Sequence, residues 1–323
     1  MAVSDNQGRE APFAEAVIVS QHGGEDAYLE RADSAGGRAN QRRYQQESDQ
    51  GRTRHKNVTL AQSMLLLALL AASIAFAQQR GIVLGNLTWP EAEKALKPNT
   101  VVVIPIGAES KEHGPHLKLK NDSILAEYFK RKVLERAAVV AAPTVNYHYY
   151  PAFVEYPGST TLRLETARDL LVDICRALSR YGPKRFYALN TGVSTARALK
   201  PAGEILAAEG ILFHYTNFLE VGAEAERRVA KQEGGTHADE IETSLMLYVD
   251  PASVDMSKAV KDYHPSEAGG LTRDPNKRGV YSASGVYGDP TLATKEKGEA
   301  MAQAIVEGML RDIESLRHAA LPK

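Results

Sequence analysis

Two stretches of this sequence carry residues able to do metal or acid–base chemistry. The first is Gly107-Ala-Glu-Ser-Lys-Glu-His-Gly-Pro-His116, followed by Asn121-Asp122. Within 14 residues it offers Glu109, Glu112, His113, His116 and Asp122. Carboxylates mixed with imidazoles suit Zn, Mn or Fe rather than Ca. Gly107, Gly114 and Pro115 keep the stretch out of regular helix or strand. A plain polar loop, with Asp122 only capping the next helix, fits the same residues. The second stretch is Thr236-His237-Ala-Asp239-Glu240-Ile-Glu242-Thr-Ser244. Its pattern predicts a helix start with Asp239 and Glu240 in the first turn, where the helix dipole favours acids. His237 then lies just before the helix, so it need not share a helix face with Glu242. A histidine in that place suits acid or base work near neutral pH. His148 stands in the aromatic-rich Asn-Tyr-His-Tyr-Tyr, a candidate pocket wall, and His214 closes a strand-like run.

The elements that must position these residues alternate between strand and helix. Val101–Ile106 is a continuous apolar run and predicts a strand buried on both faces. Further strands are predicted at Val139–Pro143, Thr160–Leu164, Arg185–Leu189 (ending at Asn190) and Ile211–Tyr215. Helices are predicted at Thr88–Leu96, Ser123–Arg136, Glu165–Arg180, Thr195–Ala208, Ala238–Val249 and Thr294–Leu316. Thr88 is the expected N-cap of the first, with Pro90 early in it. This alternation predicts an α/β fold with a mostly parallel central sheet and helices on both faces, over residues 81–323. In such sheets ligands collect beyond the carboxyl ends of the strands, where the first stretch falls.

The remaining features bound the function. The chain has 323 residues, 43% hydrophobic and 24% charged, with 39 Lys+Arg against 40 Asp+Glu. No basic run is interleaved with aromatics, so nothing points to nucleic acid. The single cysteine, Cys175, excludes an intramolecular disulfide and reads as inert helix packing. Residues 1–56 are polar, and either disorder or an extension upstream of the true start is expected there. Residues 57–77 read as a secretory signal peptide. Arg52, Arg54 and Lys56 precede the apolar run Met64–Ala77, which ends in Ala75-Phe76-Ala77. Cleavage after Ala77 starts the mature protein at Gln78, with a periplasmic or secreted location and no later membrane span. An uncleaved anchor is the competing reading, although the run is short of the roughly 20 residues a span needs.

The ordered motifs resemble the creatininase family, the creatinine amidohydrolases and related formamide hydrolases. They are Leu87-Thr-Trp-Pro90, Ile104-Pro-Ile-Gly107, Glu112-His-Gly-Pro-His-Leu117 with Asp122, Tyr156-Pro-Gly-Ser-Thr160, His237–Ser244, Gly285-Val-Tyr-Gly-Asp-Pro290 and Ala293–Gly298. The resemblance covers essentially all of 81–323. It implies a three-layer αβα fold, a homo-oligomer, often a hexamer, and a small amide or cyclic amide as substrate. It also implies divalent metal (Zn, Mn or Fe, one or two ions) with metal-activated water as nucleophile. By position, His113 and Asp122 are metal ligands, with Glu112 beside them. His237, Lys111 and Glu242 are the catalytic candidates, and His116, Ser159 and Ser194 the substrate-binding ones. Three positions depart from the family pattern. Gly192 stands at a ligand His, Ser194 at a ligand Glu, and Lys111 at another ligand Glu. These departures lead to one metal or a rebuilt site using His116, His237 or Glu242, with Lys111 able to polarise a carbonyl in place of an ion. They also keep two alternatives open: a catalytically inactive small-molecule-binding relative, and a different metal-assisted reaction on the same scaffold.

Overall fold

The structure is a computed structural model that describes residues 80–265 and 269–323, all within one compact unit, Ala75–Lys323. The proposed signal segment and the N-terminal extension lie outside the described residues. Among the described residues, no helix is long and apolar enough to cross a membrane.

The central sheet has five strands: β1 (Ile82–Val83), β2 (Val101–Ile106), β3 (Val140–Ala141), β4 (Arg185–Asn190) and β5 (Leu212–Tyr215). Their order is β1-β3-β2-β4-β5, and every pairing is parallel. The helices are α1 (Trp89–Ala95), α2 (Asn121–Arg136), α3 (Leu164–Ser179), α4 (Ala196–Ala207), α5 (Phe218–Val221), α6 (Ala223–Val229), α7 (Glu240–Val249) and α8 (Lys295–His318). A separate two-stranded piece joins β6 (Leu271–Thr272) to β7 (Val280–Tyr281).

The layers follow from the side chains of β2, all six of whose residues are buried. Val101 and Val103 pack into one core with Leu125, Phe129 and Val133 of α2, Leu245 of α7 and Ile305 of α8. Val102, Ile104 and Ile106 pack into the opposite core with Leu171 and Cys175 of α3 and Leu199 and Leu206 of α4. A strand covered on both faces has no polar side to alternate with, which is why its sequence is uniformly apolar. Pro105 is tolerated in this central strand for a visible reason. Its carbonyl accepts from the Val145 amide at 2.8 Å, so its missing N–H faces the side where β3 has already ended.

The connections place the site. From β2 the chain runs through α2 to β3 on one side, then returns through α3 to β4 on the other. The order therefore reverses between β2 and β4, the switch point at which such sheets open a crevice. Ile106 and Asn190, the last residues of those strands, lie in register there.

One expected element is absent. Thr160–Leu164 forms no strand: the Thr160 amide donates to Ser110 O at 2.9 Å and the Leu162 amide to His148 O at 2.9 Å, and α3 begins at Leu164. The segment's donors are spent on two loops, so it cannot join the sheet ladder.

Candidate active site

The loop after β2 is held in a fixed, non-regular path. Gly107 sits against the Asp122 backbone so closely that a Cβ there would clash with it. This contact lets α2 start beside the strand end and buries Asp122 in its first turn. The Lys111 amide donates to Leu119 O at 3.1 Å, and the Glu112 amide donates to Ser159 Oγ at 2.9 Å. Lys111, Glu112, His113 and Asp122 are all at most 6% exposed as a result.

The second motif is fixed just as firmly. Asp239 caps α7, accepting from the Ile241 amide at 3.0 Å and the Glu242 amide at 2.9 Å. Burial raises its carboxyl to about 6. His237 forms an isolated antiparallel bridge with Tyr287. Between the bridge and the cap, Ala238 adopts a left-handed backbone (φ 48°), unusual for a residue with a side chain. Its amide donates to Glu242 Oε2 at 2.7 Å, which turns that carboxylate back toward His237.

The two motifs meet across the crevice. His113 Nε2 lies 2.8 Å from Asp122 Oδ1 and 3.3 Å from Glu242 Oε1. His237 Nδ1 lies 3.6 Å from Glu242 Oε2. The far nitrogen of each ring is tied elsewhere: His113 Nδ1 to Lys111 O at 2.9 Å, and His237 Nε2 to Glu112 O at 3.0 Å and Glu112 Oε2 at 3.1 Å. Such acceptors orient the two rings, and each near nitrogen would become a ligand on giving up its proton to make way for an ion. One ligand atom each from His113, His237 and Glu242 falls within 4.8 Å of the others, a spacing one ion can bridge. Two imidazoles and one carboxylate form a donor set typical of catalytic zinc.

Lys111 supplies a second positive charge. Its Nζ is 2.7 Å from Asp122 Oδ2 and lies 4.7 Å from the centre of the Phe153 ring. Burial by itself pushes the Asp122 carboxyl up, but Lys111 and His113 outweigh it and hold it below the usual carboxylate range. Burial likewise opposes ionisation of Glu242, yet His113, His237 and Lys111 hold its carboxyl well down. Burial and Lys111 push His113 down, and the two neighbouring carboxylates override them and raise it to about 9.

The expected site residues are thus regrouped. His113 stands where a ligand is expected. His237 and Glu242, read from the sequence as catalytic, join it in the three-residue cluster. Glu112, read as a ligand, instead braces His237 and accepts from the Gly114 amide. Asp122, also read as a ligand, is occupied by Lys111 and His113. His116 and Ser159, expected at the substrate, are not among the residues that line the cavity. The His116 ring bonds Thr243 Oγ1 at 2.8 Å while burial lowers its pKa to about 4, and Ser159 holds the Glu112 amide. Ser194 does line the open cavity, with its Oγ donating to Tyr149 O at 3.1 Å. Among the described residues, Glu109 is held by its amide, which donates to Asn146 O at 3.3 Å. His148 is fully buried, whereas its neighbour Tyr149 reaches the cavity. Phe153, which covers Lys111, is missed by the sequence reading; the nearby run of aromatics was the available signal.

The departures at 192 and 194 have a structural basis. A Cβ on Gly192 would lie 3.1 Å from Thr195 Cγ2 and 3.4 Å from the Tyr150 ring. A side chain there would need Thr195 or Tyr150 to give way slightly, and Gly192 has none to offer a metal. A cavity of about 700 Å3 opens over Lys111, His237 and Glu242.

The Creatininase family model, described as creatinine amidohydrolase, matches residues 85–313. The chain belongs to the creatininase family. Members of this family are hydrolases. The chain is 27% identical over 250 residues to the creatinine amidohydrolase of Pseudomonas putida, covering 71% of this chain and 95% of that one. It is 27% identical over 216 residues to the mycofactocin precursor peptide peptidase of Mycolicibacterium smegmatis, covering 64% and 82%. A solved structure titled "Creatininase Mn" superposes with a TM-score of 0.63 at 24% identity, over 74% of this chain and 100% of that one. The three-layer αβα creatininase fold is therefore the fold of this chain.

Proposed function

We propose that this creatininase-family protein is a metal-dependent amide hydrolase that works with a single divalent ion of Zn, Mn or Fe. The carrying observation is the cluster of His113 Nε2, His237 Nδ1 and Glu242, with both far ring nitrogens already bonded. The comparisons support the reaction class, since the two named relatives act on a cyclic amide and on a peptide precursor by name. An ion in such a site makes water nucleophilic at neutral pH and polarises a carbonyl.

The chain's own residues do the rest. His113, His237 and Glu242 hold the ion, and Glu112 and the Lys111 carbonyl keep the two rings in register. Asp122 fixes the Lys111 ammonium at the cavity floor. There Lys111 donates to the carbonyl oxygen as negative charge develops on it, the role a second cation would have. Phe153 screens this pair from water, which strengthens the interaction. The Met64–Ala77 run supports export to the periplasm or beyond, and the family resemblance supports a homo-oligomer.

The test is hydrolysis of creatinine and of short linear amides by Zn- and Mn-loaded protein, beside Glu242→Gln and a chelated sample. Cleavage abolished in both controls supports the proposal. Cleavage that survives chelation contradicts the metal, and loading without cleavage of any amide favours the binding-protein alternative.

A further inference from the structure

A small cyclic amide would fill little of the cavity over the site. Its volume of about 700 Å3 falls in the roughly 300–1,000 Å3 range of pockets for much larger ligands. Away from Lys111 and Glu242 the accessible apolar wall is formed by Phe218 and Leu219 of α5, with Phe218 packed in turn against the buried core that holds Leu245 of α7 and Met301 and Ile305 of α8. Glu226, the acid in this part of the wall, has its carboxyl raised by burial. Asp239 is not free to meet a ligand, because it caps α7 and accepts from Gln232 at 2.7 Å.

The loop after β4 adds the opposite character. Arg197, in the first turn of α4, lines the same cavity and is exposed. Among the described residues no carboxylate pairs with it, whereas Arg168, Arg176 and Arg228 each hold one. An unpaired guanidinium on a cavity wall is suited to a planar anion such as a carboxylate.

We propose that the substrate is a linear amide with an extended apolar acyl arm and a free carboxylate on the amine side, an N-acyl amino acid in chemical class. The arm lies along Phe218 and Leu219, the scissile amide over Lys111 and the metal cluster, and the carboxylate on Arg197. Hydrolysis breaks the C–N bond, adds the water's oxygen to the acyl carbon and sends its protons to the leaving nitrogen and to solvent, giving a carboxylate and a free amino acid. The assignment rests on the hydrolase reading above.

The experiment is calorimetric binding of acetyl-, hexanoyl- and decanoylglycine, and of the matching glycinamides, to the Zn-loaded protein. Affinity is expected to rise about fourfold per added methylene while the arm remains buried. The acid should bind more tightly than its amide by on the order of tenfold. Arg197→Met should collapse the acid-to-amide ratio toward one, and Leu219→Asp should flatten the chain-length dependence. Both positions are exposed, so neither change disturbs the core. Affinity independent of chain length, or equal for acid and amide, overturns the assignment. Turnover scored in the same samples separates the two readings. Cleavage of the acetyl compound alone keeps the hydrolase and sinks this substrate class. Chain-dependent binding of the acids without cleavage supports the ligand class and sinks the hydrolase.

Discussion

Replacing Lys111 by Met keeps most of the side-chain volume and removes the charge that faces Asp122. The two groups are 2.7 Å apart, with side chains 6% and 1% exposed, so the carboxylate would be left buried without its cation. Breaking such a pair typically costs about 3–5 kcal/mol. The cost has a ceiling, because Asp122 can take up a proton instead. From an ordinary value of 3.8, protonation at pH 7 costs about 4 kcal/mol. The expected loss is therefore about 3–4 kcal/mol, or roughly 6–16 °C in Tm for a domain of this size. Urea unfolding of the metal-free proteins, followed by circular dichroism, measures it. The sign with pH follows from the direction of the shift. The Asp122 carboxyl is held below its ordinary value, so its contribution is complete above that value and lost as pH falls through the folded one. Because Asp122 in the variant escapes by taking up a proton, the gap should be widest at pH 7, shrink by about 1.4 kcal/mol per pH unit below that, and vanish near about pH 4. A loss under about 1 kcal/mol, the scale of an exposed pair, would refute the idea that Lys111 is a fixed buried cation.

Two other perturbations follow from the same geometry. Burial holds the His148 ring neutral, lowering its pKa from 6.5 to about 4. Acidification then protonates the unfolded chain first, so stability falls between these values. The effect is worth about 2 kcal/mol at pH 5, and His148→Phe should lose that much less stability than the parent between pH 7 and pH 5 in urea titrations. Gly285 has φ 84°, and a Cβ there would strike the Glu112 carboxylate. Gly285→Ala should displace Glu112 from His237 and weaken Zn affinity by about 10–100-fold, read by competition with a chelating dye, while Glu112→Gln gives a similar loss by another route.

Much of this fold is legible because its central strands are buried on both faces. Val101–Ile106 and Arg185–Asn190 have the expected bounds, since no polar residue interrupts either run before the crevice. Thr160–Leu164 looks like a strand by β-propensity, yet its amides are captured by Ser110 and His148, partners the local sequence does not reveal. The edge strand Ile82–Val83 is too short to leave a period. The site shows the same division. Its motifs are visible as clusters of His, Asp and Glu, and the unusual Lys111, Gly192 and Ser194 are visible as departures from the family. Which donors meet is another matter. The His237–Glu112 bond joins residues 125 apart in sequence, and it depends on the left-handed Ala238 and on the bridge to Tyr287. Residue types and spacing alone assign Glu112 to a metal; the folded backbone turns it toward a histidine.

The site is built around one ion held by His113, His237 and Glu242 beside the buried Lys111–Asp122 pair. Elemental analysis of the Zn- or Mn-reconstituted protein, with His113→Ala and Glu242→Gln alongside, tests it most directly. One ion per chain is expected in the parent and a fraction near zero in both variants. Two ions per chain, or one ion that survives both substitutions, would contradict it.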